Sequence, residues 1–530
     1  MKLSRLIDPI EVVSINWLSI DGLPIEGISG DKRDDALDPE IASIHYRSNE
    51  VRPGGIFFAI KGQQTDGHQY IRDAINRGAA AVVVEAGHQI DDAEAVVVSV
   101  ENTRKALAAG SSIFFNNPSG NLYLIGITGT NGKTTTAYLV EHLLLESGMD
   151  VGVISTINYR YQGLVYNNPL TTPESLDLQK ILSEMVSAGV THVVMEVSSH
   201  GIALDRIYYC WFDMGIYTNL SQDHLDFHGN MEEYGSCKKR FFTGYLMAGP
   251  KQKHAVAVIN TDNPMGMEIL SAMENFKVVS VGSNASSDVF ARHIRFDQYG
   301  MSGEIRFPDK GVQFQSGLIG SYNLENIMCA AGAGMALKIS PALVKQGIDS
   351  FAYVPGRLER IPDESGRHVF LDYAHTPDAL ENVLSTLKEV IAGRLICVFG
   401  CGGDRDKAKR PQMGKIAGKL SDFVVITSDN PRTEVPGVII EEIRNGVMAV
   451  LQKEYMTSEL ENRFPENGYV IEPDRERAIN LGIKIAKPDD TILIAGKGHE
   501  DYQIIGKKII PFDDREKATA ALAKSLLKVN

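Results

Sequence analysis

Gly126-Ile127-Thr128-Gly129-Thr130-Asn131-Gly132-Lys133-Thr134-Thr135 is the stretch on which the fold turns. An apolar run over residues 122–127 leads into it, and a helical pattern over 134–147, closed by Gly148, leads out. Strand, glycine-rich turn and helix in that order aim backbone N–H groups and a helix N-terminus at a polyphosphate. Lys133 has the reach for β- and γ-phosphates, and Thr134 the hydroxyl to ligate Mg²⁺. The strict phosphate-loop pattern wants glycine at 127, where this chain has Ile127. A plain strand–helix turn with a capping threonine is the bland alternative. Strand, glycines, lysine and helix together favour the nucleotide reading.

Working outward, short β-branched runs at 191–197 and 255–259 read as further buried strands, and 175–188 as a helix stopped by Gly189. Runs at 368–371, 395–399, 423–427 and 491–495 repeat the pattern towards the C-terminus, which reads as a second doubly wound sheet. Two joints, at Asn116-Asn117-Pro118-Ser119-Gly120 and at Val354-Pro355-Gly356, divide the chain into 1–118, 119–354 and 355–530. The expectation is an α/β protein of three domains, with a central phosphate-loop parallel sheet and a C-terminal Rossmann-like sheet.

Bulk properties fit that picture. The 530 residues have space for about three domains. A formal net charge of −14 argues against general affinity for nucleic acid, but not against local phosphate binding by amides and a few cations. The N-terminal stretch has Asp8, Pro9 and Glu11 where a secretory signal needs an apolar core. No run approaches the roughly 18 apolar residues that span a bilayer. The five cysteines are irregularly spaced and complete no zinc pattern, so they read as ordinary thiols in a reducing cytoplasm.

Two further segments carry chemistry. Met195-Glu196-Val197-Ser198-Ser199-His200 closes a strand beside the phosphate loop, a good place for a carboxylate on Mg²⁺. A lone glutamate there is more often a solvated strand end. The neighbouring Asp223-His224-Leu225-Asp226-Phe227-His228, dense in acids and histidines, reverses the preference. Met231-Glu232-Glu233-Tyr234-Gly235-Ser236-Cys237-Lys238-Lys239-Arg240 alone is a helical basic surface pair.

The loop Gly129-Thr130-Asn131-Gly132-Lys133-Thr134-Thr135, including the departure at 127, resembles that of the Mur ligase family, and the similarity runs from about residue 40 to the C-terminus. The resemblance implies an ATP-dependent amide-bond ligase. Its expected partners are ATP, UDP-MurNAc-L-Ala-D-Glu and meso-diaminopimelate, with Mg²⁺ as cofactor. A monomer in the cytoplasm, with neither nucleic acid nor membrane insertion, is expected. L-lysine as the amino acid, a folylpolyglutamate-synthetase-like ligase and a non-catalytic nucleotide-binding protein are the alternatives.

The family's motifs imply residue roles. Lys133, Lys238 and His224 are catalytic; Thr134, Glu196, His224 and Lys238 hold metal, Lys238 as an N6-carboxylysine carbamate. ATP meets Gly129, Thr130, Asn131, Gly132, Lys133, Thr134 and Thr135, with Asn326, Arg357, Asp372 and His375. The UDP-MurNAc-dipeptide meets Tyr46, Ser48, Gln63, Gln64, Thr65, Thr171, Thr172, Ser198 and Arg206. In that first segment the family's Asp-Ser-Arg is Arg47-Ser48-Asn49, and a usual glutamine before Arg206 is Leu204. On sequence alone the loop at 63–68 is equally well a polar surface turn. Diaminopimelate meets Arg405, Asp429, Asn430, Pro431, Arg432, Gly496 and Glu500. Arginine suits the extra distal carboxylate that separates diaminopimelate from lysine, because its planar fork makes paired charge-assisted bonds. Lysine-adding members lack the arginine at this position.

Overall fold

The computed structural model describes residues 1–18, 24–25, 38–62, 65–88, 90, 94–460 and 465–526. The chain forms two compact units, Met1–Phe290 with Met328–Leu343, and Ala291–Ile327 with Val344–Asn530.

The first unit contains two parallel-rich layers. The N-terminal one orders its parallel strands Ser43–His45, Gly55–Phe58, Ala79–Glu85 and Val96–Val100, with Val12–Leu18 antiparallel at the far side. Alternation of buried and exposed positions is absent from its central strands: Val82, Val83, Val84, Val96 and Val98 are all buried, as expected of parallel strands covered on both faces. Asn102 caps the helix Thr103–Phe114, its side chain accepting from the Arg104 and Lys105 N–H groups. Pro118 then opens the short turn Pro118–Asn121, after Asn116 and Asn117, both at positive φ.

The central layer orders its parallel strands Val151–Ile154, His192–Glu196, Tyr123–Thr128, Met214–Tyr217, Val256–Asn260 and Val278–Gly282. The expected strands at 122–127, 191–197 and 255–259 are there, shifted by a residue at their ends. So are the helices, at Lys133–Glu146 and Ser175–Ser187. A hairpin that no pattern in the sequence marks, Tyr159–Tyr161 and Leu164–Tyr166, pairs antiparallel with Val151–Ile154. Strands this short carry too little periodicity to stand out. Register places Glu196 beside Ile127 and Tyr217 beside Thr128, so three strand C-termini end around the phosphate loop. Gly126 sits under the rings of Phe212 and Phe241, where a Cβ would come within 2.7 Å and 2.5 Å.

The second unit has a sheet ordered Glu359–Ile361, His368–Asp372, Thr491–Ala495, Leu395–Phe399, Phe423–Ile426, Gly468–Ile471 and Glu454–Tyr455, parallel except for the first strand. Buried Val398, Val425 and Ile494 lie in the core on one face, and Cys397, Val424 and Leu493 in that on the other. Both α/β layers of the sequence reading are therefore found. The five cysteines are free, and burial pushes the thiols of Cys210, Cys397 and Cys401 up to about 12. Among the described residues no helix is long and apolar enough to cross a membrane.

Candidate functional site

The phosphate loop is held open from one side by the segment after Met214–Tyr217. Asn219 accepts from the Thr130 N–H with its carbonyl and from the Asn131 N–H with Oδ1, both at 2.9 Å. Thr218 Oγ1 donates to the Asn131 carbonyl at 2.7 Å, and Asn131 Nδ2 to Ser221 Oγ at 3.1 Å. Gly129, at φ +154, leaves no space for a side chain, since a Cβ would stand 1.9 Å from Thr218 Oγ1. Gly132, at φ +82, turns the chain into the helix Lys133–Glu146. The loop is thus shaped by its neighbour.

Three functional groups converge on it. Lys133 Nζ folds back onto the carbonyls of Gly129 and Thr130, at 3.0 and 2.7 Å. Thr134 Oγ1 donates to Glu196 Oε1 at 2.9 Å. Lys238 is buried and donates to the Gly129 carbonyl at 2.8 Å, with its Nζ 4.4 Å from the centre of the Tyr234 ring. Burial, and then the neighbouring Lys133, hold the Lys238 amine well below the ordinary lysine range. A neutral amine is the form that reacts with CO₂. The helix Met231–Arg240, capped by Asn230, selects Lys238 over the adjacent Lys239 by turning Lys238 inward with Tyr234.

Glu196 also accepts from the Thr156 N–H at 2.9 Å and from Thr156 Oγ1 at 3.0 Å. Thr156 was not singled out from the sequence; it follows a strand too short to flag it. A carboxylate and a threonine hydroxyl at a strand end are hard oxygen donors of the type Mg²⁺ takes, so the residues fit that ion. His224 lies at φ +53 with its ring 4.9 Å from His200, 6.2 Å from Tyr234 and 3.5 Å from Asp223. Tyr234 OH in turn reaches Thr130 Oγ1 at 3.1 Å, linking this group to the loop. Among the described residues no three His, Cys, Asp or Glu side chains gather as a metal cluster.

Beside Glu196, Thr172 Oγ1 donates to the Glu196 carbonyl and accepts from the Ser198 N–H, each at 2.9 Å. Thr171 Oγ1 lies 3.1 Å from Thr156 Oγ1. Arg206 donates to the Thr172 carbonyl at 3.1 Å, and its buried Nε, without a hydrogen bond, is 3.4 Å from Glu174. Glu174 also accepts from Arg104 at 2.9 Å, an arginine the sequence reading passed over. Thr171, Thr172, Ser198 and Arg206 are therefore one cluster. Tyr46 donates to Asp177 at 2.7 Å, and burial pushes its phenol up. Ser48 is bonded to Asp73 and Thr65 is exposed. Gln63 and Gln64 lie outside the described residues.

In the second unit, Asp372 accepts from the N–H groups of Leu358 and Ala374 at 2.7 and 2.8 Å; burial raises its carboxyl above the usual range. Arg357 stacks over Tyr373 at 4.9 Å, and His375 pairs with the Tyr373 carbonyl at 2.8 Å. Asn326 donates to Asn323 Oδ1 at 3.0 Å. Arg432, at φ +50, donates to the Gly403 carbonyl at 2.8 Å, and its backbone bridges to Ile505. Asn430 donates to Glu500 at 2.9 Å. Asp429, Asn430 and Pro431 are buried, while Arg405 is exposed on the glycine-rich loop. Gly496, at φ +115, has the Asp429 carboxylate 3.8 Å from where its Cβ would stand. Lys497, buried among these acids, is a third residue, after Thr156 and Arg104, that its neighbours in the chain do not mark: within Gly496-Lys497-Gly498 it looks like a loop lysine.

Comparison with known proteins gives three successive family matches. The Mur ligase family catalytic domain covers residues 40–131, the Mur ligase middle domain 127–334, and the Mur ligase glutamate ligase domain 356–498. The chain is 46% identical over 482 residues to the UDP-N-acetylmuramoyl-L-alanyl-D-glutamate--2,6-diaminopimelate ligase of Geobacter metallireducens, across 91% of this chain and 94% of that one. A solved structure of a ligase with the same description is 28% identical and superposes with a TM-score of 0.67, covering 96% of this chain and 99% of the other. The MurF ligase from Thermotoga maritima in complex with ADP, 19% identical, shares the fold at a TM-score of 0.57 over 92% of this chain and 98% of its own.

Proposed function

The chain belongs to the Mur ligase family, and we propose from that premise a residue-level account of its reaction. It is an ATP-dependent ligase that joins meso-diaminopimelate to the D-Glu of UDP-MurNAc-L-Ala-D-Glu, in peptidoglycan precursor synthesis. The observation that carries the mechanism is the convergence of Lys133, Lys238 and the Thr134–Glu196 pair on one loop.

A carboxylate is a poor electrophile, so it is activated first. A γ-carboxylate oxygen of D-Glu attacks the γ-phosphorus of ATP, and the bond to ADP breaks. The amine of diaminopimelate then attacks the acyl-phosphate carbon; phosphate leaves, and the amine gives up a proton. Lys133 and the loop N–H groups hold the phosphates and offset charge in the transfer. Thr134, Glu196, His224 and the Lys238 carbamate would hold Mg²⁺, which supplies charge neutralisation at the phosphoryl group when bound. Thr171, Thr172, Ser198 and Arg206 orient the dipeptide acid, with Tyr46, Ser48, Gln63, Gln64 and Thr65 towards its nucleotide end. We assign Asn326, Arg357, Asp372 and His375 to ATP. Arg405, Asp429, Asn430, Pro431, Arg432, Gly496 and Glu500 receive the amino acid, the arginines taking the distal carboxylate.

We assign the nucleotide-sugar, ATP and amino-acid roles to domains 1–118, 119–354 and 355–530, and read the enzyme as a cytoplasmic monomer. The test is phosphate release with ATP, UDP-MurNAc-L-Ala-D-Glu and a panel of amino acids. Release that depends on diaminopimelate supports the reading. ATP binding without turnover would point to a nucleotide-gated binding protein, and turnover with a folate acceptor to the folylpolyglutamate-type reaction.

A further inference from the structure

In the second unit, side chains assigned above to the incoming amino acid close on a single ammonium. Lys497 is completely buried. Its Nζ donates to Asn430 Oδ1 at 3.0 Å and to the Tyr502 carbonyl at 2.7 Å, and lies 3.3 Å from the Asp429 carboxylate and 3.6 Å from that of Glu500. Asn430 ties the group together. Its Nδ2 donates to Glu500 Oε2 at 2.9 Å, while its Oδ1 takes the Ile504 N–H as well as the lysine. Gly496 and Gly498, at φ +115 and +54, flank the lysine in backbone conformations that suit glycine and let the chain double back on itself.

We propose that Lys497 is a positioning residue for amino-acid recognition: its buried ammonium keeps Asp429 and Glu500 together as charged groups and orients Glu500 to receive an ammonium of the ligand. This rests on the reading that Asp429, Asn430 and Glu500 form the amino-acid pocket. Lys497 itself does not touch the ligand; it is consumed by protein acceptors.

Two carboxylates sharing a buried site without a cation repel, and one of them takes up a proton. One lysine leaves the pair with a single surplus negative charge, which matches one ligand ammonium. The other groups around Glu500 do not replace Lys497. Arg475 also interacts across space with Asp429 and Glu500, but its charge is matched by the buried Asp514 carboxylate, at 2.8 and 2.6 Å. Arg432 donates to the Gly403 carbonyl. Tyr373 and Tyr502 are phenols that burial keeps neutral. Burial raises the Glu500 carboxyl above the usual range; Asp429 pushes it the same way, while Lys497, the Asn430 bond and Arg432 oppose them. Loss of Lys497 removes the foremost of the opposing influences.

The bland alternative is that Lys497 is a strut between two loops. A strut and a positioning residue differ in which kinetic constant moves. The experiment measures amide formation from mildly acidic to mildly alkaline pH, with saturating ATP and dipeptide substrate, for wild type, K497M, K497R, E500Q and K497M/E500Q. In K497M the KM for diaminopimelate rises about 30-fold or more, the size expected when one partner of a buried charge pair is removed. The KM for ATP stays put and kcat moves less. The acid limb of kcat/KM shifts to higher pH, because Glu500 is ionised only above its pKa and that pKa has risen. K497R keeps the charge, so its acid limb stays in place while its KM rises. In the E500Q background the K497M effect on KM shrinks.

A K497M enzyme with lower kcat but unchanged KM and acid limb overturns the proposal in favour of the strut. So does a K497M effect that is undiminished in E500Q. If K497M does not fold, an unmoved diaminopimelate KM in K497R overturns it. E500Q with a wild-type KM is a separate result, which removes the pocket assignment itself and the proposal with it.

Discussion

Replacing Glu196 separates a carboxylate that holds the fold from one that serves chemistry. Glu196 is completely buried and accepts three hydrogen bonds, from Thr134 Oγ1, Thr156 N–H and Thr156 Oγ1, at 2.9, 2.9 and 3.0 Å. Glu196→Ala removes all three acceptor contacts and orphans the Thr156 N–H. With about 1–3 kcal/mol for each bond to a charged or buried group, the loss over three bonds sums to about 3–9 kcal/mol. Glu196→Gln keeps the shape. Its carbonyl oxygen still takes the Thr156 N–H and the Thr134 hydroxyl, and its amide donates to Thr156 Oγ1 once that hydroxyl rotates. Only charge assistance is lost, about 1–2 kcal/mol in all, offset in part by no longer burying a charge. Calorimetry on the three proteins, alongside phosphate release titrated with Mg²⁺, reads both effects. The expected pattern is a clear drop in unfolding temperature for Ala, a small one for Gln, and turnover lost in both. Glu196→Gln with turnover near wild type at saturating Mg²⁺ would refute the metal role, and Gln as destabilising as Ala would show the carboxylate to be structural.

Further outcomes follow from the same geometry. Lys133→Ala is expected to abolish turnover without lowering the unfolding temperature, because Lys133 contacts loop carbonyls and not a core; near-normal phosphate release contradicts the loop assignment. Lys238 is expected to carry a carbamate in protein kept with bicarbonate, visible by crystallography; Lys238→Ala is inactive and partly rescued by short-chain carboxylates, and an unmodified lysine in active, metal-loaded enzyme rules this out. The enzyme turns over meso-diaminopimelate strongly in preference to L-lysine, and Arg432→Ala erodes that preference; equal or better turnover with lysine in the wild type would sink the arginine argument. Burial and Arg357 push His499 down to about 4, so it is neutral in the fold while an unfolded histidine takes a proton from about pH 6.5 downward. The unfolded state therefore gains as pH falls between those values, and His499→Asn removes up to about 3 kcal/mol of that acid-side loss. Parallel denaturation curves for variant and wild type from neutral pH to pH 4 would contradict it.

Much of this protein is legible without coordinates, and for a physical reason. Strands buried on both faces write continuous apolar runs, so 395–399 and 491–495 coincide with the observed Leu395–Phe399 and Thr491–Ala495. A phosphate-binding turn needs glycine at defined places and a lysine next to them, all within one short stretch of chain. Gly129 is even more constrained than the motif requires, being pressed against Thr218. What the sequence left open is whatever depends on approach between distant segments. Thr156 matters because the end of Val151–Ile154 lies beside His192–Glu196, and Arg104 because its helix reaches Glu174 across 70 positions. Neither is marked by its neighbours in the chain. Composition does not separate Lys238 from Lys239; the family resemblance points to Lys238, and the inward-packing face of Met231–Arg240 is what strips that lysine of its water. Lys497 shows the limit most plainly. Between two glycines it reads as a solvated loop lysine, yet the fold strips its hydration and surrounds it with Asp429, Asn430 and Glu500. Local pattern determines which backbone shapes are possible; desolvation, which turns an ordinary ionisable side chain into a functional one, is set only when remote parts of the chain close around it.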